Sequence, residues 1–228
     1  TSRRVNTSNN IRFRPFIASR EEFFKGALLA ENDTEFVIRQ NLFFSTNLKY
    51  SLADNLDDLV FPPENTFPAQ VRSDVKQYLK NIDEGILIGR AQLDYHITPK
   101  INHHLMFTGG ILEDMFSGVG AEYLYFKPDT NYSFGIELFK VQKRDYHWGF
   151  DHLDYTNTTL TGNFYYRNYG RIPFDMKLSA GEYLAGDIGS TIELSRTFDT
   201  GVRFGIFATF TDVTNEEFGE GSFDKGIF

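Results

Sequence analysis

The chain has no cysteine, a single tryptophan among 228 residues, and no apolar run near the 18 or so residues that a membrane-spanning helix needs. Without cysteine there is no disulfide frame, no thiol nucleophile and no Cys-ligated zinc site. Basic charge is also scarce: 23 Lys and Arg stand against 31 Asp and Glu, a formal net charge of −8. That balance argues against nucleic acid, whose binding needs clustered cations to displace counterions. The opening TSRRVNTSNN holds no apolar core, so no signal peptide is expected there, and the sequence reads as a mature or excised form. The five histidines lack metal spacing such as HExxH, and His103 and His104 point to opposite faces of one strand. No serine sits in GxSxG, and GVG (118–120) and GEG (219–221) match no phosphate loop. Neither a metal nor a cofactor is expected, although the acidic loop carrying Asp212, Glu216, Glu217 and Glu220 has the oxygen ligands that Ca²⁺ uses.

Aromatic side chains, by contrast, are abundant: 24 Phe and 12 Tyr. Many fall in a strict period of two. Phe174, Met176, Leu178 and Ala180 alternate with Asp175, Lys177, Ser179 and Gly181, and Ile192 and Leu194 alternate with Thr191, Glu193 and Ser195. Val202, Phe204, Ile206, Ala208 and Phe210 repeat the pattern against Arg203, Gly205, Phe207, Thr209 and Thr211. A period of two puts one set on each face of a pleated strand. Mean hydropathy is −0.36, the value of a soluble chain. A transmembrane β-barrel has such a value too, because only alternate residues of each strand face lipid.

Taken in order, the pattern predicts about twelve strands. Residues 1–10 are expected to fray, strands to run over 11–17, 23–31 and 34–50, and Asn32-Asp33 to form a tight turn. Residues 51–84 break the alternation, with three of the seven prolines and a short helix over 70–79, and read as a long loop insertion. Leu87, Ala91, Leu93, Tyr95 and Ile97 are then expected to share one face, with a turn at 98–100. Short links at 32–33, 98–100, 127–130, 168–173 and 198–201 alternate with longer ones at 51–84, 112–118, 143–157 and 213–220. That asymmetry predicts one all-β domain over 1–228: an antiparallel up-and-down transmembrane β-barrel with short periplasmic turns and longer outer loops.

Four ordered blocks, PAQVRSDVKQYL (68–79), MFSGVGAEYLYFKP (115–128), GEYLAGDIGSTIELSRTF (181–198) and FGEGSFDKGI (218–227), resemble the YjbH/GfcD family of bacterial outer-membrane proteins tied to exopolysaccharide or group 4 capsule production. The resemblance implies a location in the bacterial outer membrane and a non-enzymatic role in moving or assembling extracellular polysaccharide. It implies as partners the polymer, outer-membrane lipid and periplasmic exopolysaccharide-assembly proteins. Family members are often lipoproteins, whereas this chain has no cysteine to carry lipid, and they continue past the FDKGI block. The sequence therefore reads as a region excised from, or truncated within, a longer chain.

Under the barrel reading Arg90, Asp94, His96, Glu122, Glu137, Arg167, Glu193 and Arg203 face the lumen. Mixed charge there either hydrogen-bonds a passing glycan or fills the bore with ion pairs, and both readings stay open. Tyr146, Trp148, Phe150 and Tyr155, in the expected outer loop 143–157, are candidates for glycan contact. Two other functions compete: an outer-membrane enzyme acting on glycan or lipid through barrel carboxylates or a Ser–His pair, and a soluble carbohydrate-binding β-sandwich.

Overall fold

The computed structural model describes residues 4–16, 25–57, 59, 74–213 and 223–227. Twelve antiparallel strands form one sheet in sequence order: β1 (Val5–Phe16), β2 (Lys25–Arg39), β3 (Leu42–Asp54), β4 (Ile86–Lys100), β5 (His103–Ile111), β6 (Phe116–Phe126), β7 (Tyr132–Arg144), β8 (His152–Asn168), β9 (Phe174–Glu182), β10 (Ile188–Thr197), β11 (Arg203–Thr211) and β12 (Phe223–Ile227). One short helix, α1 (Val75–Lys80), lies between β3 and β4. The hydrogen-bonded order runs from β1 to β12 and, among the described residues, does not return to β1. Alternate links are two to five residues long, at 40–41, 101–102, 127–131, 169–173 and 198–202. The other series includes the long 55–85 connection.

Several strand ends differ from expectation, each for a local reason. Residues 5–10 belong to β1 because polar side chains pair across to β2: Asn32 Nδ2 donates to Asn9 Oδ1 (2.7 Å), and Thr7 and Thr34 share a hydroxyl bond (3.2 Å). The same ladder keeps Asn32-Asp33 inside β2, with Asn47 Nδ2 donating to Asp33 Oδ1 at 2.8 Å, so the turn falls at Gln40-Asn41. The helix occupies 75–80, and the expected helical residues 70–73 lie outside the described ones, as do Glu216, Glu217 and Glu220. A bulge in the β3–β4 pairing skips Gly89. It reverses the face assignment along β4, so Leu87 is buried while Leu93 is exposed, contrary to the single face expected. Gly181 sits at φ 155°, and a Cβ there would fall 2.0 Å from the Leu160 carbonyl oxygen, so only glycine allows this close strand approach.

The two faces of the strands are inverted relative to a water-soluble sheet. On β7, Phe134, Ile136 and Leu138 are 46–52% exposed, alternating with the less exposed Ser133, buried Gly135 and half-buried Glu137. On β10 and β11, Ile192, Leu194, Phe204, Ile206 and Phe210 are exposed, whereas Ser195 is buried. Thr159, Asn163 and Ser179 on β8 and β9 are buried as well. Apolar outside and polar inside is the arrangement of a strand solvated by lipid on one face.

The chain divides into two compact units, one of residues 1–95, 107–119 and 141–156, the other of 96–106, 120–140 and 157–228. In the first, the described parts of the 55–85 connection, 55–57, 59 and 74–85, fold onto the face of the sheet opposite the exposed apolar set and build an apolar core with Leu56, Leu79, Ile82, Leu87, Phe116 and Trp148. This cap is sewn down by polar contacts. Tyr78 Oη donates to the Arg144 carbonyl (2.5 Å), Trp148 Nε1 donates to the Tyr78 carbonyl (2.9 Å), and Lys143 pairs with Asp74. Burial raises the Tyr78 phenol well above its ordinary pKa, so it stays a donor. Arg144, fully buried, donates to five main-chain carbonyls: Ile88, Glu113, Asp114, Trp148 and Gly149, at 2.8–3.0 Å. At the rim, His147 Nδ1 and Glu84 Oε2 are 2.7 Å apart, and that hydrogen bond holds the imidazole above its ordinary pKa.

Candidate functional site

The second unit carries three cross-strand rows, polar except at Phe207 and Gly205, on one face of β8–β11. Register sets Asn163, Ser179, Thr191 and Thr209 in the first row, Tyr165, Lys177, Glu193 and Phe207 in the second, and Arg167, Asp175, Ser195 and Gly205 in the third. The rows exist because the period of two is unbroken on all four strands, so every inward position meets another inward position.

The first row is closely hydrogen-bonded. Ser179 Oγ donates to Asn163 Oδ1 (2.7 Å), Asn163 Nδ2 donates to Glu137 Oε1 (2.8 Å), and Thr191 lies 2.9 Å from Thr209 and 2.8 Å from Tyr183 Oη. The third row holds a tight ion pair, Arg167 Nε to Asp175 Oδ1 at 2.5 Å. There the missing side chain at Gly205 leaves room for Arg203, which donates to Ser195 Oγ from Nε (3.2 Å) and Nη2 (3.0 Å). The middle row is looser. Lys177 Nζ stands 3.9 Å from Glu193 Oε1 and 5.9 Å from the centre of the Tyr165 ring.

Two adjoining cavities open over these rows and share Lys177 and Glu193. The larger, about 450 Å³, lies over the second and third rows and reaches the 127–131 and 169–173 turns. The smaller, about 260 Å³, lies over the first row and is walled by Glu137, Glu182 and Tyr183. The larger is within the size range of ordinary ligand pockets, about 300–1,000 Å³. Hydroxyls, an amide, carboxylates and tyrosine rings are the groups that bind sugars; no arrangement here is that of a metal site, and no cluster of three or more His, Asp or Glu able to hold a metal occurs among the described residues.

Of the candidates read from sequence, Glu137, Glu193, Arg167 and Arg203 come together here. Arg90 and Asp94 lie in the first unit: Arg90 is 3.9 Å from Asp33, and Asp94 Oδ1 accepts from Thr108 (2.6 Å) and Gln92 (2.7 Å). His96 and Glu122 line neither cavity. The loop aromatics separate more sharply. Trp148 is 1% exposed and is a core residue of the cap, not of an exposed loop surface; Tyr146 packs edge-on to Tyr78, with ring centres 5.0 Å apart. Tyr155 belongs to β8 and packs on Phe116, because β8 begins at His152 and the loop is only 145–151. Phe150 alone of the four is well exposed. Asn163, Asp175, Lys177 and Thr191 complete the site, and the signal that finds them is the same alternation read across strands.

Ser117 Oγ and His152 Nε2 are hydrogen-bonded, the pairing that an acyl-transfer enzyme requires. Among the described residues no carboxylate or amide hydrogen-bonds the other ring nitrogen, the position where a triad carries its third member.

The sheet is a two-faced antiparallel meander, with large apolar side chains exposed at alternate positions and small polar ones buried between them. The family model for YjbH, described as "Exopolysaccharide biosynthesis protein YbjH", matches residues 1–228. The chain belongs to this exopolysaccharide biosynthesis family. It is 33% identical over 213 residues to the uncharacterized lipoprotein YjbH of Escherichia coli K12, covering 91% of this chain and 30% of that protein, so it spans about a third of its relative's length. Among solved structures, a loop-L8 deletion mutant of OmpT, an outer membrane protein of Vibrio cholerae, superposes with a TM-score of 0.35 at 9% identity, covering 98% of this chain and 96% of that one. In-vitro folded trimeric OmpT of the same organism gives 0.32 at 9% identity over 91% and 88%. Likenesses of that degree speak to neither ligand nor activity.

Proposed function

We propose that this chain forms part of a transmembrane β-barrel in the bacterial outer membrane, and that its polar inner face accompanies exopolysaccharide during secretion or assembly without catalysing a reaction. The carrying observation is the inverted sheet: large apolar side chains stand exposed at alternate positions while serine, threonine and asparagine are buried behind them. Water penalises that arrangement and lipid favours it, at about 25 cal/mol for each Å² of apolar surface removed from water. Family membership supplies the polymer class. In this reading outer-membrane lipid covers the apolar face, and the short-turn end meets periplasmic assembly proteins.

Envelope fractionation combined with polymer analysis tests the proposal. Cells lacking the protein are expected to retain exopolysaccharide beneath the outer membrane, with the chemical structure of its repeat unchanged. A polymer secreted normally but altered in linkage or substitution would instead favour an enzyme, and Ser117→Ala would then identify whether the Ser117–His152 pair is responsible.

A further inference from the structure

The two cavities of the second unit differ in charge. Around the larger, Arg167, Lys177 and Arg203 outnumber Asp175 and Glu193; around the smaller, Lys177 is alone among Glu137, Glu182 and Glu193. A cation excess in the larger cavity runs against the net charge of −8 for the whole chain. Its cations are also unequally committed. Arg167 is held by Asp175 at 2.5 Å, whereas Lys177 is 3.9 Å from its nearest carboxylate, Glu193, and lies over the Tyr165 ring. Arg203 is exposed and reaches the same cavity from β11, spanning to Ser195.

We propose that the larger cavity is a subsite for an acidic sugar residue, one bearing a carboxylate such as a hexuronate, bound between Lys177 and Arg203 with its ring against Tyr165. The inference rests on the glycan reading above and gives that reading a polymer chemistry. An ammonium at 3.9 Å from its partner makes a weak ion pair and can turn to a second carboxylate without leaving the first isolated. Arg203, whose Nε and Nη2 stay on Ser195, adds positive charge at the wall of the same cavity. The exposed hydroxyl of Thr197 suits an uncharged position of the same sugar. The acid-rich cavity beside it repels a second carboxylate, so the pair of cavities favours a polymer in which charged and neutral residues alternate along the chain.

Calorimetric titration of the detergent-solubilised protein with a hexuronate hexasaccharide and a neutral hexasaccharide of equal length tests the assignment. The acidic ligand is expected to bind about tenfold more tightly, with the preference falling as salt rises. Lys177→Gln with Arg203→Gln should bring the two affinities together, and Lys177→Arg with Arg203→Lys should restore most of the difference. Equal binding of both hexasaccharides would overturn the acidic subsite while leaving the glycan reading intact, and a preference that survives the double Gln variant would place the site elsewhere. Failure of folded wild-type protein to bind either ligand would overturn both.

Discussion

Arg144→Ala is expected to destabilise the protein by about 3–5 kcal/mol, the range for removing one partner of a buried charge network. The guanidinium is the junction of three segments: it binds carbonyls of β4 (Ile88), of the 112–115 link (Glu113 and Asp114) and of the 145–151 loop (Trp148 and Gly149). Each carbonyl loses a charge-assisted donor at once, and the buried pocket leaves little room for water to replace it. Arg144→Lys should recover only part of the loss, because one ammonium cannot span the two carbonyl clusters that the planar fork reaches. Denaturant unfolding of the detergent-solubilised protein, followed by circular dichroism, measures the shift. A change under 1 kcal/mol for the alanine variant would show that Arg144 does not hold the cap.

Trp148→Ala should cost a similar amount, about 3–5 kcal/mol, through the cavity left by a fully buried ring. The indole fills the space between α1 and the sheet, stacks edge-on to Tyr78 with centres 6.0 Å apart, and lies under the Lys49 ammonium at 5.4 Å. Trp148→Phe keeps most of the volume but leaves the Tyr78 carbonyl without its indole donor, so about 1–2 kcal/mol is expected. Since Arg144 Nη2 fixes the main chain that carries the indole, losing either residue loosens the same 145–151 loop, and the double alanine variant should lose less than the sum of the two. The same unfolding measurement decides: a fully additive pair would mean that the two residues stabilise separate structures.

These two residues also show where sequence was a poor guide. The stretch KRDYHWGFD reads as a charged aromatic loop, since residue types there carry no period. What holds Arg144 is a set of main-chain carbonyls contributed by three segments, two of them distant in sequence, and carbonyls leave no mark in residue identity. The inner rows were far more legible. Asn163, Lys177 and Glu193 lie on strands whose alternation runs unbroken, and register does the rest. Alternation misleads only where one residue is slipped, as at the Gly89 bulge that puts Leu87 and Leu93 on opposite faces. The Asn32-Asp33 pair misled for a different reason: turn-forming residues form a strand when partners across the ladder satisfy their side chains.

Because the chain has no native cysteine, single cysteines can be placed and labelled one at a time. With fluorophores at Leu178→Cys and Ile192→Cys on the apolar face, and at Lys177→Cys and Glu193→Cys on the polar face, brominated lipid should quench the first pair and a water-soluble quencher the second. Quenching of the Leu178 and Ile192 labels by the aqueous reagent, with none from lipid, would contradict a lipid-facing sheet and with it the proposed place and role of this protein.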